Sequence, residues 1–245
     1  MSGPRLAELT TVADELQRRV PALSRRVIED MYRNPFWIER FGVRGRGNAD
    51  QDGGYHVTYL VEAVRSGSPS VMTRYAQWLR SVLVSRGMCT RHLSDNFTRL
   101  ADAIAAEEEP TFMIAVDLLR QSEAALLYEA PAPRALQLQA LTLARATAVS
   151  VRGDYPDWYE ESDTGWRHCQ DDLLYHLSYL ADAVAASRTD LFTGYVRFVE
   201  GFLQKRGVPT SHLDATLAML SAKLEAAGAP ADAGLPLLRA VLTGT

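Results

Sequence analysis

The stretch "YHVTYLVEAV" at residues 55–64 returns 120 positions later as "YHLSYLADAV" at 175–184. An internal repeat constrains a fold more than a single motif does, because whatever one copy forms the other must be able to form as well. The correspondence runs without a gap from 55–100 to 175–220, and about a third of the paired positions are identical, well beyond chance. The shared residues are Tyr55, His56, Tyr59, Leu60, Ala63, Val64, Thr73, Tyr75, Leu83, Arg86, Gly87, Thr90, His92, Leu93 and Leu100, each with its copy 120 positions on. Upstream, "PFWIE" at 35–39 matches "PDWYE" at 156–160 after one insertion, which pairs Trp37 with Trp158 and Glu39 with Glu160.

His56, Tyr59, Leu60, Ala63 and Val64 stand at i, i+3, i+4, i+7 and i+8, the stripe of an amphipathic helix, and Asp52 at i−4 extends it. Ser68 and Pro69 suit the start of the next helix, and Gly87 or Gly207 can end it in a left-handed conformation. Thr90 and Thr210 are placed to act as N-caps of a further helix running to about Ala106 and Ala226. Pro110 opens a helix through "FMIAVDLLRQSEAALLY", and "PRALQLQALTLARATAVSV" supplies another that leads into the second copy. No stretch alternates as a strand does. The expectation is an all-α helical bundle of two tandem repeats related by a pseudo-twofold. An N-terminal lobe, 1–109, contains repeat one at about 35–106. A C-terminal lobe, 110–245, contains linking helices at 110–152 and repeat two at about 156–226. "GAPADAG" near the C-terminus reads as a short linker before a last helix, "LPLLRAVL".

Composition narrows the function classes. Thirty acidic and 26 basic residues give a net charge of −4, and no basic block marks a nucleic-acid footprint. The first residues carry acidic groups and no continuous apolar run, so neither a secretory signal nor a membrane span is expected, and the protein reads as cytoplasmic. Cys89 and Cys169 have no CxxC spacing and read as ordinary thiols.

The residues with most chemical content are Asp52 with His56 and Asp172 with His176. An i, i+4 pair puts carboxylate and imidazole on one helix face, where they can share a metal or where the carboxylate can fix the imidazole tautomer. The same pair also serves as a buried hydrogen bond that fixes helix packing. Adding Glu39 and Glu160 gives four carboxylates and two histidines, the stoichiometry of dinuclear carboxylate sites in bundles, although such sites carry Glu-x-x-His rather than Asp-x-x-x-His. Alternatively, His56 and His176 could hold a haem or another tetrapyrrole, or iron, in a pocket lined by Tyr59, Tyr179, Trp37 and Trp158, with Tyr75 and Tyr195 nearby.

The copies differ at Gly53 and Gly54, which stand where copy two has Leu173 and Leu174. Two glycines inside a helix cost about 2 kcal/mol, so either Asp52 caps a helix starting there or something approaches the backbone closely. His92 and His212 near helix N-termini read as structural, "GVRGRG" at 42–47 as a solvated turn, and Arg86 and Arg206 as partners of helix-terminal carbonyls. No GxSxG, HExxH, kinase or dinucleotide motif occurs. The leading expectation is therefore a non-enzymatic ligand-binding or sensory protein taking a small-molecule ligand or cofactor. A metal-dependent oxidoreductase and a pure protein-interaction scaffold are the alternatives, with a homodimer or a protein partner allowed for.

Overall fold

The computed structural model describes residues 6–158 and 163–244. Those residues form ten α-helices and no strand. The helices are α1 (Leu6–Met31), α2 (Pro35–Ser66), α3 (Pro69–Ser85), α4 (Thr90–Ala105), α5 (Met113–Ala124), α6 (Pro131–Asp154), α7 (Asp163–Ala186), α8 (Thr189–Gln204), α9 (Thr210–Ala227) and α10 (Leu235–Thr243). No helix among the described residues is long and apolar enough to cross a membrane.

Two compact units divide the chain: Met1–Val82 with His92–Leu126, and Leu83–Arg91 with Leu127–Thr245. In the first, α1 lies along α2, and α5 packs on α2. Its core comprises Leu16, Ile28, Leu60, Val61, Met72, Leu93, Phe97, Leu100 and Phe112, all within 2% of complete burial. In the second, α6 lies along α7, α8 and α9 flank them, and α10 closes on α9. Leu136, Leu177, Leu180, Phe192, Leu217, Leu220 and Leu238 fill that core. Each fully buried side chain of this size contributes roughly 1.5–3 kcal/mol, so the apolar stripes read from the sequence supply the main cohesive term in both units.

Local signals set the helix ends. The Asn34 side chain accepts from the Phe36 amide at 2.9 Å, with Pro35 in the first turn of α2. Gly87 and Gly207 take φ of 84° and 72°, the left-handed geometry expected of helix-ending glycines. The segment 42–47 is helical, not a solvated turn, with one break at Gly42 (φ 66°, ψ −173°), and Arg46 lies over the Tyr32 ring. Thr90 and Thr210 are the first residues of their helices rather than caps; Pro209 precedes α9 and makes no side-chain cap bond. "GAPADAG" is also not a free linker: Ala231–Gly234 forms a 3-10 turn with Ala231 fully buried, and a Cβ on Gly234 would stand 2.6 Å from Leu180 Cδ2.

The glycine pair before His56 has a packing explanation. Helix α2 runs on through Asp52, so no helix starts there for Asp52 to cap. Gly53 is buried where α1 crosses, and a Cβ there would lie 2.5 Å from Ser24 Oγ and 3.4 Å from an Ile28 carbon. Gly54 faces open space. The two glycines should therefore respond in opposite directions. Gly53→Leu, the residue of the second copy, is expected to destabilise by about 1–3 kcal/mol through overpacking. Gly54→Ala should stabilise by up to about 1 kcal/mol through helix propensity. Urea unfolding midpoints of the two variants check this.

Candidate functional site

Helix α2 delivers His56 and Tyr59 one turn apart, α3 delivers Tyr75, and α4 delivers Phe97. His56 is 5% exposed, and its Nδ1 lies 2.7 Å from the Tyr75 hydroxyl. The Phe97 ring stands edge-on to the imidazole, and Tyr59 stacks on Tyr75 with ring centroids 4.0 Å apart and planes 15° from parallel. The second unit holds the matching group. His176 is 3% exposed, the Tyr195 hydroxyl is 3.4 Å from its Nδ1, and Tyr179 stacks on Tyr195 at 3.9 Å and 11°.

The imidazoles differ in their hydrogen bonds. His176 Nδ1 donates to the Asp172 backbone carbonyl at 2.6 Å, so the proton sits on Nδ1 and the Nε2 lone pair, buried, has no protein partner. Burial pushes both His56 and His176 down from 6.5 to about 4, which keeps both neutral near pH 7. Burial also raises the Tyr75 and Tyr195 hydroxyls, and the charge of Asp52 or Asp172 raises them further. Crowding, helped by Asp171, pushes the Asp172 carboxyl up toward about 7. Asp172 nevertheless keeps much of its surface in solvent, and hydration of the charged form opposes so large a rise.

The other expected site residues go elsewhere. Trp37 is 5% exposed and meets the His92 ring at 4.9 Å, in a cluster with Phe36, Phe41 and Tyr32. Trp158 stacks on His212 at 3.7 Å, with Tyr155 on its other side. Glu160 lies outside the described residues. Among the described residues no three His, Cys, Asp or Glu side chains gather as a metal site would require, and this holds for Asp52, His56, Glu39, Asp172 and His176. Two open grooves line α1: one of about 540 Å³ includes Arg25, Arg26, Arg33, Arg99, Asp30 and Asp102, and one of about 420 Å³ includes Arg46 and Asp50. Acidic and basic groups alternate in both, and Asp30 pairs with Arg33 and Arg99.

The greatest contrast between the two aromatic groups is on their outer sides. Tyr179 is fully buried, because the second unit lays the turn Leu83–Arg91 over α7. Asp182, completely buried, accepts from the Thr90 amide, the Thr90 hydroxyl and the Tyr128 hydroxyl, each at 2.6 Å. Tyr179 donates to the Gly87 carbonyl at 3.3 Å, the Arg91 amide donates to Ser178 Oγ at 3.0 Å, and Arg188 donates to the Val84 and Ser85 carbonyls. In the first unit the corresponding surface is open, with Tyr59 41%, Tyr55 49% and Trp78 58% exposed. Neither the Asp182 anchor nor this uncovered aromatic face was foreseen from the sequence. The shared Thr90 and Thr210, and the carboxylates Glu62 and Asp182, were the available signal.

Comparison of the chain with protein-family models, with curated proteins and with solved structures finds no match.

Two outcomes follow from the buried imidazoles. Tyr75→Phe removes the 2.7 Å partner of His56 and is expected to cost about 1–3 kcal/mol. Tyr195→Phe should cost clearly less, since His176 keeps the Asp172 carbonyl. Both are read from denaturant midpoints. Because the unfolded chain binds protons near 6.5 and the folded histidines only near 4, the contribution of the two histidines to stability should be level above pH 6.5. It should then fall toward pH 4 by about 1.4 kcal/mol per pH unit for each histidine. Unfolding midpoints of the wild type and of His56→Gln across that range test this; the variant should show a shallower decline.

Proposed function

We propose that this is a non-enzymatic, cytoplasmic interaction protein, a duplicated helical unit whose first copy presents an aromatic face to a polypeptide partner. The observation that carries the reading is the uncovered set Tyr55, Tyr59 and Trp78, built on the Tyr59–Tyr75 stack. Tyrosine and tryptophan offer large contact area with few rotatable bonds and dominate binding hot spots. A cluster of them left half in water on a rigid helix pair is costly unless something covers it. In this reading His56 and Tyr75 are the support of the face: their buried hydrogen bond fixes the ring on which Tyr59 stacks.

The duplication rests on the sequence identity at 120-residue spacing and on the recurrence of the His–Tyr–Tyr group, with ring distances of 4.0 and 3.9 Å. A second reading, the ligand-binding or sensory one, is favoured by the bare Nε2 of His176, which could accept a hydrogen bond or ligate the iron of a tetrapyrrole. An absorption spectrum with iron analysis tests it: a Soret band lost in His176→Ala supports it, and a colourless, iron-free protein removes it.

Site-specific photo-crosslinking tests the interaction reading. A benzophenone amino acid at Tyr59 should give discrete polypeptide adducts in cells expressing the protein. The same group at Asp117, exposed on α5, should give none. Equal labelling at both positions would sink the proposal.

A further inference from the structure

We infer that the partner of the open aromatic face is a second copy of this chain, docking through the turn between α8 and α9. The inference rests on the interaction reading above and narrows it to one occupant. Its template is the joint already made in the second unit, where the turn Leu83–Arg91 lies over α7. Moving the turn and the α7 groups of that joint by 120 positions gives a surface and a turn that retain part of the chemistry of the contact, without a counterpart of the Tyr128 hydroxyl.

On the helix side, Ser178 becomes Thr58, Tyr179 stays Tyr59, and Asp182 becomes Glu62, so hydroxyl, phenol and carboxylate are all kept in order on α2. On the turn side, Leu83, Arg86, Gly87 and Thr90 recur as Leu203, Arg206, Gly207 and Thr210. Gly207 has a positive φ of 72°, close to the 84° of Gly87, whose carbonyl accepts from the Tyr179 hydroxyl. Thr210 opens α9 as Thr90 opens α4, with an amide and a hydroxyl to offer one carboxylate.

Burial separates the joint that is made from the one that is not. Cys89 and Thr90 are buried, whereas Pro209 is exposed and Thr210 only half-buried. Tyr179 and Asp182 are fully buried, whereas Thr58, Tyr59 and Glu62 are exposed. Charge agrees as well: the turn carries Lys205 and Arg206, and the face carries Glu62.

The second joint is weaker than its template. Arg188, which holds the Val84 and Ser85 carbonyls, is Ser68 in the other copy, and Arg91, whose guanidinium lies over Tyr175, is Ser211. Glu62 must also leave its surface pairing with Arg65. Association is therefore reversible and concentration-dependent. Face and turn are different surfaces, so the contact is heterologous: each added copy leaves one face and one turn open, and the assembly grows as a chain or closes as a ring.

Sedimentation and light scattering, over about 1–300 μM, the range of weak protein association, test the inference. Two variants carry charge at exposed positions, Thr58→Arg with Glu62→Arg on the face and Pro209→Glu with Ser211→Glu on the turn, and circular dichroism confirms that each folds. The wild type should rise with concentration above its 27.1 kDa monomer. Each variant alone should associate at least about tenfold more weakly. An equimolar mixture should recover association and stop at the dimer, because only one intact face and one intact turn remain to meet. A wild type that stays monomeric throughout overturns the inference, as does association unaffected by either variant, or a mixture that recovers nothing. If crosslinks from Tyr59 then join a different polypeptide, the interaction reading survives and only the self-docking is lost; if Tyr59 gives no specific adduct, both fall.

Discussion

A buried carboxylate must be satisfied or it is ruinous, and Asp182 is satisfied by three donors at 2.6 Å drawn from two distant parts of the chain. Thr90 comes from the start of α4 and Tyr128 from the segment after α5. Around this point the second unit gathers further polar contacts: Tyr179 on Gly87, Ser178 under the Arg91 amide, and Arg188 on the carbonyls at the end of α3. The apolar stripes supply most of the cohesion, but they are non-directional. Hydrogen bonds to one charged, dehydrated group fix which turn lies on which helix and in what register.

The two histidines show how one residue pattern acquires two environments. Both are buried and neutral, and each sits beside a tyrosine pair stacked at about 4 Å. Their hydrogen bonding nonetheless diverges, because His56 leans on a phenol and His176 on a backbone carbonyl. The first arrangement couples the imidazole to the aromatic face. The second leaves Nε2 as a buried acceptor without a protein partner, an exception to polar satisfaction within these two groups.

The all-helical character, the stripe through His56 and the helix-ending Gly87 and Gly207 were legible in the sequence because they depend on neighbours within one or two turns. What was not legible depends on residues far apart. Gly53 is explained by Ser24 on α1, and nothing near position 53 encodes that crossing. Thr90 reads as a cap from local pattern, yet its hydroxyl goes to a carboxylate in α7. Local spacing groups Trp37 and Trp158 with His56 and His176, while their rings lie on His92 and His212. Trp37 with His92 and Trp158 with His212 recur at matching positions in the sequence, but no local pattern joins residues so far apart. The open face was invisible for a simpler reason: a helix stripe shows which side is apolar, not whether a turn from elsewhere covers it.

The Asp182 joint also carries a consequence for how the chain comes into being. Thr90 and Asp182 are 92 residues apart, so at ordinary synthesis rates the turn at Thr90 leaves the ribosome about 5–20 seconds before the carboxylate that will hold it. During that interval the end of α3, buried Cys89 and Thr90 have no α7 to lie on. The nascent protein thus passes through a stage in which a turn that ends up buried has nothing to cover it, and the order of translation, rather than the strength of any contact, sets how long that stage lasts.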